Sequence, residues 1–231
     1  MKIGIIGAMS CETAALKSML EDTSVEAVSG IEYSSGKLFG REVVIATCGI
    51  GKVFAAICAQ TMILRYSPDI IINTGVAGTL TNELSVCDVA VSSDVVQHDM
   101  DTSAIGDPVG LISGINIINI PADERLCAAV TAAARKIGLN TLAGTIASGD
   151  MFVADGTKKT YIRDTFGAIA CEMEGASIGH VCYVNSVPFV VIRAISDGGD
   201  DSAAMIYDKF VTVAAENSVK LVCEVIKDQS L

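Results

Sequence analysis

The chain has 231 residues, 51% of them apolar and 19% charged, which is material for one substantial core and the usual size of a single α/β domain spanning 1–231. Lys and Arg number 16 against 27 Asp and Glu, a formal net charge of −11. That balance argues against a nucleic-acid or anionic-membrane surface, because polyphosphates are held by clustered cations, and points to a small-molecule partner.

Lys2 to Gly7 reads as a first strand and not as a leader, since Gly4 and Gly7 interrupt the apolar run and Ser10, Cys11 and Glu12 end it. Ser10 is expected to cap a helix reaching about Glu21. Gly30 to Cys48 has the pattern of a hairpin punctuated by Gly36 and Gly40, with Glu42 to Thr47 the stronger arm. Gly51 to Tyr66 reads as helix, stopped by Pro68 ahead of Asp69 to Thr74, a continuous apolar run suited to a central strand.

Val86 to Val96 follows as a strand. Pro121 to Ile137 is an Ala-rich helix ending at Gly138, and Leu142 to Ala147 a further strand. Ala168 to Cys171 leads into a helix from about Glu174, Phe189 to Ser196 reads as strand, and Ala203 to Lys227 as a long closing helix. Strands alternating with helices in this way indicate an α/β sheet covered on both faces. No run approaches the roughly 20 uninterrupted apolar residues of a membrane helix, so the apolar surplus is assigned to a core and a subunit interface.

The eight cysteines include no C-x-x-C and mostly lie in apolar runs, as at Ala56 to Ala59 and Leu126 to Ala129. They read as reduced, buried thiols of a cytoplasmic protein. His98 and His180 are far apart and lack partners at ligand spacing, so no metal is expected.

In α/β sheets ligands gather beyond the carboxyl ends of the strands, which singles out the residues just after each predicted strand. Gly49-Ile50-Gly51-Lys52 invites a dinucleotide reading, but Phe54 stands at the third glycine position and Asp69 precedes its strand instead of following it. No dinucleotide site is therefore expected. Asn73 to Gly78 closes a strand with small residues, a tight turn or a place where a sugar could lie against backbone. Glu12, Glu174 and Asp197 each follow an apolar strand closely and can meet at one rim. Glu12 alone could equally be a carboxylate favoured by a helix N-terminus.

The ordered motifs KIGIIGAM-x-x-E from Lys2 to Glu12, GIGKV-x-AA from Gly49 to Ala56, PDIIINTG-x-AG from Pro68 to Gly78, SGD-x-F from Ser148 to Phe152, EMEG from Glu172 to Gly175 and PFVVIRAISD from Pro188 to Asp197 resemble the bacterial 5'-methylthioadenosine/S-adenosylhomocysteine nucleosidases. These are similar in turn to the purine nucleoside and uridine phosphorylases. The resemblance implies a three-layer α/β/α fold around a mixed β-sheet, a homodimer whose partner chain helps close each site, and cofactor-free hydrolysis of an adenine N-glycosidic bond.

Carried over by position, it implies Asp197 as the acid toward adenine N7 and Glu12 as the base for the attacking water. Glu174 would grip the ribose hydroxyls and Ser196 would orient Asp197. Phe152 would stack on adenine, the Val153 backbone would meet the base edge, and Met9, Ile50, Met173 and Tyr207 would line the sugar and thioalkyl walls. The chain departs from the pattern at Val76, where many relatives have Ser, at Thr102 and Ile105 in the stretch that crosses to the partner, and in the Gly198 to Asp201 loop.

A phosphorylase on the same fold would need a cationic cradle for its phosphate. Gly7 to Leu16 has no Lys or Arg, and Glu12 stands there with the wrong sign. Lys52 and Arg193 are the cations that could serve, although Arg193 lies within a strand and suits a buried acid such as Glu172 or Glu174. An aminodeoxyfutalosine hydrolase is a further alternative, and a non-catalytic nucleoside-binding protein would have no need of both an acid and a base.

Overall fold

The computed structural model describes residues 1–228. In chain order the elements are β1 (Lys2–Gly7), α1 (Ser10–Ser18), β2 (Glu21–Val28), β3 (Ile31–Leu38), β4 (Arg41–Thr47), α2 (Lys52–Tyr66), β5 (Ile70–Thr79), β6 (Val89–Gln97), β7 (Ile120–Pro121), α3 (Glu124–Lys136), β8 (Thr141–Ser148), α4 (Gly156–Phe166), β9 (Ala168–Glu172), α5 (Gly175–Val184), β10 (Phe189–Asp197) and α6 (Ala203–Lys227). The strands form one ten-stranded sheet of mixed direction.

Its centre is β5, every residue of which is buried, as is every residue of β10. β5 lies parallel to β1 on one side and to β10 on the other, and β10 continues through β6 and β8 to β9. β9 then returns to β5 in an antiparallel crossing at Gly78 and Cys171, so β5, β10, β6, β8 and β9 close into a ring. β4, β3 and β2 extend the sheet beyond β1. One core cluster packs α2 and α5 against the sheet, and a second packs α1, α3 and α6 against it from elsewhere. Helices thus cover both faces, as expected of a three-layer α/β/α fold.

Local chemistry explains the element ends. α2 stops where Ser67 turns left-handed (φ 48°) ahead of Pro68. The Asp123 carboxylate caps α3 by accepting from the N–H groups of Arg125 and Leu126 at 2.9 and 3.1 Å. α1 differs from expectation. Met9 and not Ser10 holds the capping position, and the helix ends at Ser18. Glu21 opens β2, an exposed edge strand with no apolar face to announce it, ordered by pairing with β3.

The short β7 takes Pro121, where a helix is expected to begin, and α4 is also unforeseen. α4 is polar, buries only Ile162, and is defined by the Asp155 cap at one end and left-handed Gly167 (φ 64°) at the other. No cysteine pairs with another; five are buried, but Cys11 is exposed and Cys87 and Cys127 are half-buried, contrary to uniform burial. Among the described residues no helix is long and apolar enough to cross a membrane.

Candidate active site

The carboxyl ends of β1, β5, β9 and β10 converge because of the β5–β9 crossing, and a cleft of about 490 Å³, counting its open mouth, lies over them. This is the size range of small-molecule sites. Glu12, Glu174 and Asp197 all line it, and all are at least nine-tenths buried.

Glu12 comes from the first turn of α1. Its Oε2 accepts from the N–H groups of Ala8 and Met9 at 2.7 and 2.9 Å, and Oε1 accepts from Val76 N–H at 3.1 Å. The carboxylate therefore ties the end of β1 to the middle of β5. Burial nevertheless raises its pKa above the ordinary value, against the pull of Arg193 and of those N–H donors. Gly75 is required here, because a Cβ at that position would stand 2.6 Å from Oε1 of Glu12.

Asp197 ends β10. Its Oδ2 accepts from the Ser196 hydroxyl and Oδ1 from Gly199 N–H, both at 2.8 Å. Burial raises its pKa too, the two hydrogen bonds only partly offsetting the loss of solvation. The two acids are held by separate sets of donors, so each can change protonation without dismantling the other.

Glu174 precedes α5, and its Oε1 accepts from Gly51 N–H at 2.9 Å. Burial raises its pKa, opposed by Arg193 and reinforced by Glu172. Gly51, at φ 100°, brings the strand-to-helix turn close enough for that bond. Below lies a polar floor. Arg193 pairs with Glu172, approaches Oε2 of Glu174 at 3.5 Å and donates to Oδ1 of Asn73 at 2.6 Å. Glu172 also accepts from the Ser148 hydroxyl and from the N–H groups of Glu174 and Gly175. The position of Arg193 in an apolar strand signalled a buried ion pair, whereas Ser148 and Asn73 carried no spacing signal.

The apolar walls are Met9, Ile50, Val76, Phe152, Met173 and Tyr207. Tyr207 meets Phe152 edge-on, with ring centroids 5.4 Å apart, and its hydroxyl donates to the Met9 sulfur at 3.3 Å. Val153 is buried in an adjoining hollow shared with Phe152, Met173 and Asp197. Ile105 is absent from the cleft of its own chain and is 83% exposed.

Neither candidate cation is free for phosphate. Lys52 Nζ is bound to Asp99 at 2.6 Å and to Gln97 at 3.2 Å, and Arg193 is committed to the floor.

The phosphorylase superfamily matches residues 2–227. The 5'-methylthioadenosine/S-adenosylhomocysteine nucleosidase of Shewanella halifaxensis is 39% identical over 229 residues, covering 98% of this chain and 99% of that one. The chain belongs to this nucleosidase family within the superfamily. The family's enzyme from Neisseria meningitidis, solved in complex with methylthio-immucillin-A, superposes with a TM-score of 0.95 at 37% identity, over 100% of this chain and 99% of that one. Futalosine hydrolase of Helicobacter pylori superposes with a TM-score of 0.93 at 36% identity, over 97% of each chain. Within the nucleosidase family, then, this chain carries the three acids in one cleft above a neutralised arginine.

Proposed function

We propose that the cleft hydrolyses the N-glycosidic bond of 5'-methylthioadenosine and S-adenosylhomocysteine, releasing adenine and the 5-thio-substituted ribose. The observation that carries this reading is the pair of buried, separately anchored acids Glu12 and Asp197 in a cleft whose arginine is already neutralised. Breaking C1'–N9 leaves negative charge on adenine and positive charge on the ribose. Asp197, kept protonated to higher pH by burial and oriented by Ser196, gives its proton to N7 as the bond breaks. Water adds to C1', and Glu12 takes the proton that the water loses.

Glu174 holds the ribose hydroxyls as a charged acceptor. Phe152 stacks on adenine and the Val153 backbone meets its edge. Met9, Ile50, Met173, Val76 and Tyr207 enclose the sugar and thioalkyl group. The acid and base act from opposite sides of the sugar, the arrangement of an inverting glycosidase.

The working unit in this reading is a homodimer. Support comes from α2, which leaves Val53, Phe54, Ile57 and Leu64 exposed, and from Ile105, which is exposed and outside its own cleft; in this reading it covers the alkylthio group of the partner.

The test is adenine release from methylthioadenosine with and without phosphate. Adenine and free 5-methylthioribose without phosphate are expected; a requirement for phosphate with formation of a sugar 1-phosphate would sink the hydrolase reading. Similarity to a futalosine hydrolase supports a second substrate class, adenine nucleosides such as aminodeoxyfutalosine, and the same assay ranks it by kcat/KM.

A further inference from the structure

Two loops from distant parts of the chain border the cleft. The turn at 49–52 enters α2 and carries Ile50 and the Gly51 N–H that holds Glu174. The loop at 149–153 follows β8 and carries Phe152 and Val153. Asp99, just beyond β6, binds both. Its Oδ1 accepts from Lys52 Nζ at 2.6 Å and its Oδ2 from Asp150 N–H at 3.0 Å. Asp150 completes the link, its Oδ1 accepting from Lys52 N–H at 2.7 Å.

The surroundings give this link a fixed base. The Lys52 carbonyl accepts from the Ser177 hydroxyl at 2.7 Å, which docks the turn on α5. Gly149 lies so close to the ring of His98 that a Cβ has no room there. The Lys52 and Asp99 side chains are only 19% and 29% exposed, so their pair is screened less than one in open solvent. Burial pushes the Asp99 carboxyl up, but the Lys52 ammonium and the Asp150 N–H outweigh it and hold the group below the usual carboxylate range.

We propose that Asp99 is a positioning residue for the substrate cleft: through Lys52 and Asp150 it fixes the two loops relative to each other, and so sets where Phe152 meets the base and where Glu174 meets the ribose. This rests on the nucleosidase reading above. Glu12 and Asp197 are anchored on other groups, namely Ala8, Met9 and Val76 for the one and Ser196 and Gly199 for the other. Asp99 therefore acts on substrate binding more than on the bond-breaking step.

Steady-state kinetics with methylthioadenosine tests this. Loss of a charge-assisted link in Asp99→Ala is expected to raise KM about tenfold while kcat stays within about threefold of the parent. Asp99→Asn keeps an acceptor for Asp150 N–H but loses the ion pair, so its KM should fall between the two. Lys52→Met removes the same pair from the other side, and the double variant Asp99→Asn/Lys52→Met should lose less than the sum of the single losses. A residue that merely supports the fold would lower Tm without moving KM.

An unchanged KM in folded Asp99→Ala, a loss confined to kcat, or strict additivity in the double variant would overturn the proposal. If Asp99→Ala does not fold, the Asp99→Asn and Lys52→Met kinetics decide it. A parent protein that releases no adenine would instead overturn the nucleosidase reading, and this proposal with it.

Discussion

Arg193 and Glu172 form a buried ion pair in the floor of the cleft, both side chains being about as inaccessible as the apolar core. The pair fixes the sign of the site, since an arginine already matched by Glu172 and Glu174 has no charge left for a phosphate. Arg193→Met would strand those carboxylates without their cation. Removal of one partner of a buried pair costs about 3–5 kcal/mol, so the urea midpoint should fall markedly. An unchanged midpoint would show that the pair contributes nothing to stability.

Asp197→Asn keeps the shape of the side chain but removes the proton that the proposed acid would transfer. Turnover should fall by about 10²–10⁴-fold, the range of a general acid. Stability should move the other way. A carboxyl whose pKa is raised by folding contributes stability that is full below its unfolded value and is lost as pH rises through the folded value. Above its unfolded pKa the parent carries the cost of burying this carboxyl, as charge or as proton uptake, and Asp197→Asn does not, so the variant should melt higher there. The difference should shrink as pH falls through the raised pKa. Thermal scans across pH 4–8 check the direction, and a variant that melts lower at pH 7 with the gap widening there would contradict it.

Under the proposed roles Glu12→Gln removes the base but keeps one oxygen that can still accept from Ala8 and Met9 N–H, so an inert adenine nucleoside analogue should still bind although turnover is lost. In the proposed role Glu174→Gln weakens the charged acceptor of the two ribose hydroxyls, and both analogue affinity and rate should drop. Calorimetric titration beside kinetics separates the two patterns. Loss of analogue binding in folded Glu12→Gln would reassign its role.

The proposed dimer predicts a concentration-dependent loss of activity as the chain is diluted below its dissociation constant, with light scattering reporting twice the chain mass above it. Ile105→Asp should weaken turnover of substrates with long 5'-alkylthio groups more than of those with short ones. Full activity from a monomer at nanomolar concentration would exclude a shared site.

Much of this was readable from local pattern. The apolar runs around Ile5, Ile71 and Val191 announce buried strands, and the limits of α6 follow from its composition. Arg193 within such a run suited a buried acid such as Glu172 or Glu174, and it pairs with both. The candidate site was legible through the motifs that hold Glu12, Phe152, Glu174 and Asp197, each at or just beyond the end of a strand. β2 and α4 were not legible, because neither presents an apolar face: β2 takes its conformation from β3, and α4 from its end caps.

The sequence by itself determined which segments must be buried, the acidic charge balance, and the lack of any Lys or Arg between Gly7 and Leu16. Only the tertiary structure decided that residues 12, 174 and 197 share one cleft. That depends on β9 crossing β5 at Gly78 and Cys171 and on Arg193 joining Glu172 and Glu174. Those contacts join residues far apart along the chain. Periodicity records how strongly a residue favours burial, but the partner it meets there is chosen by the packing of the whole sheet.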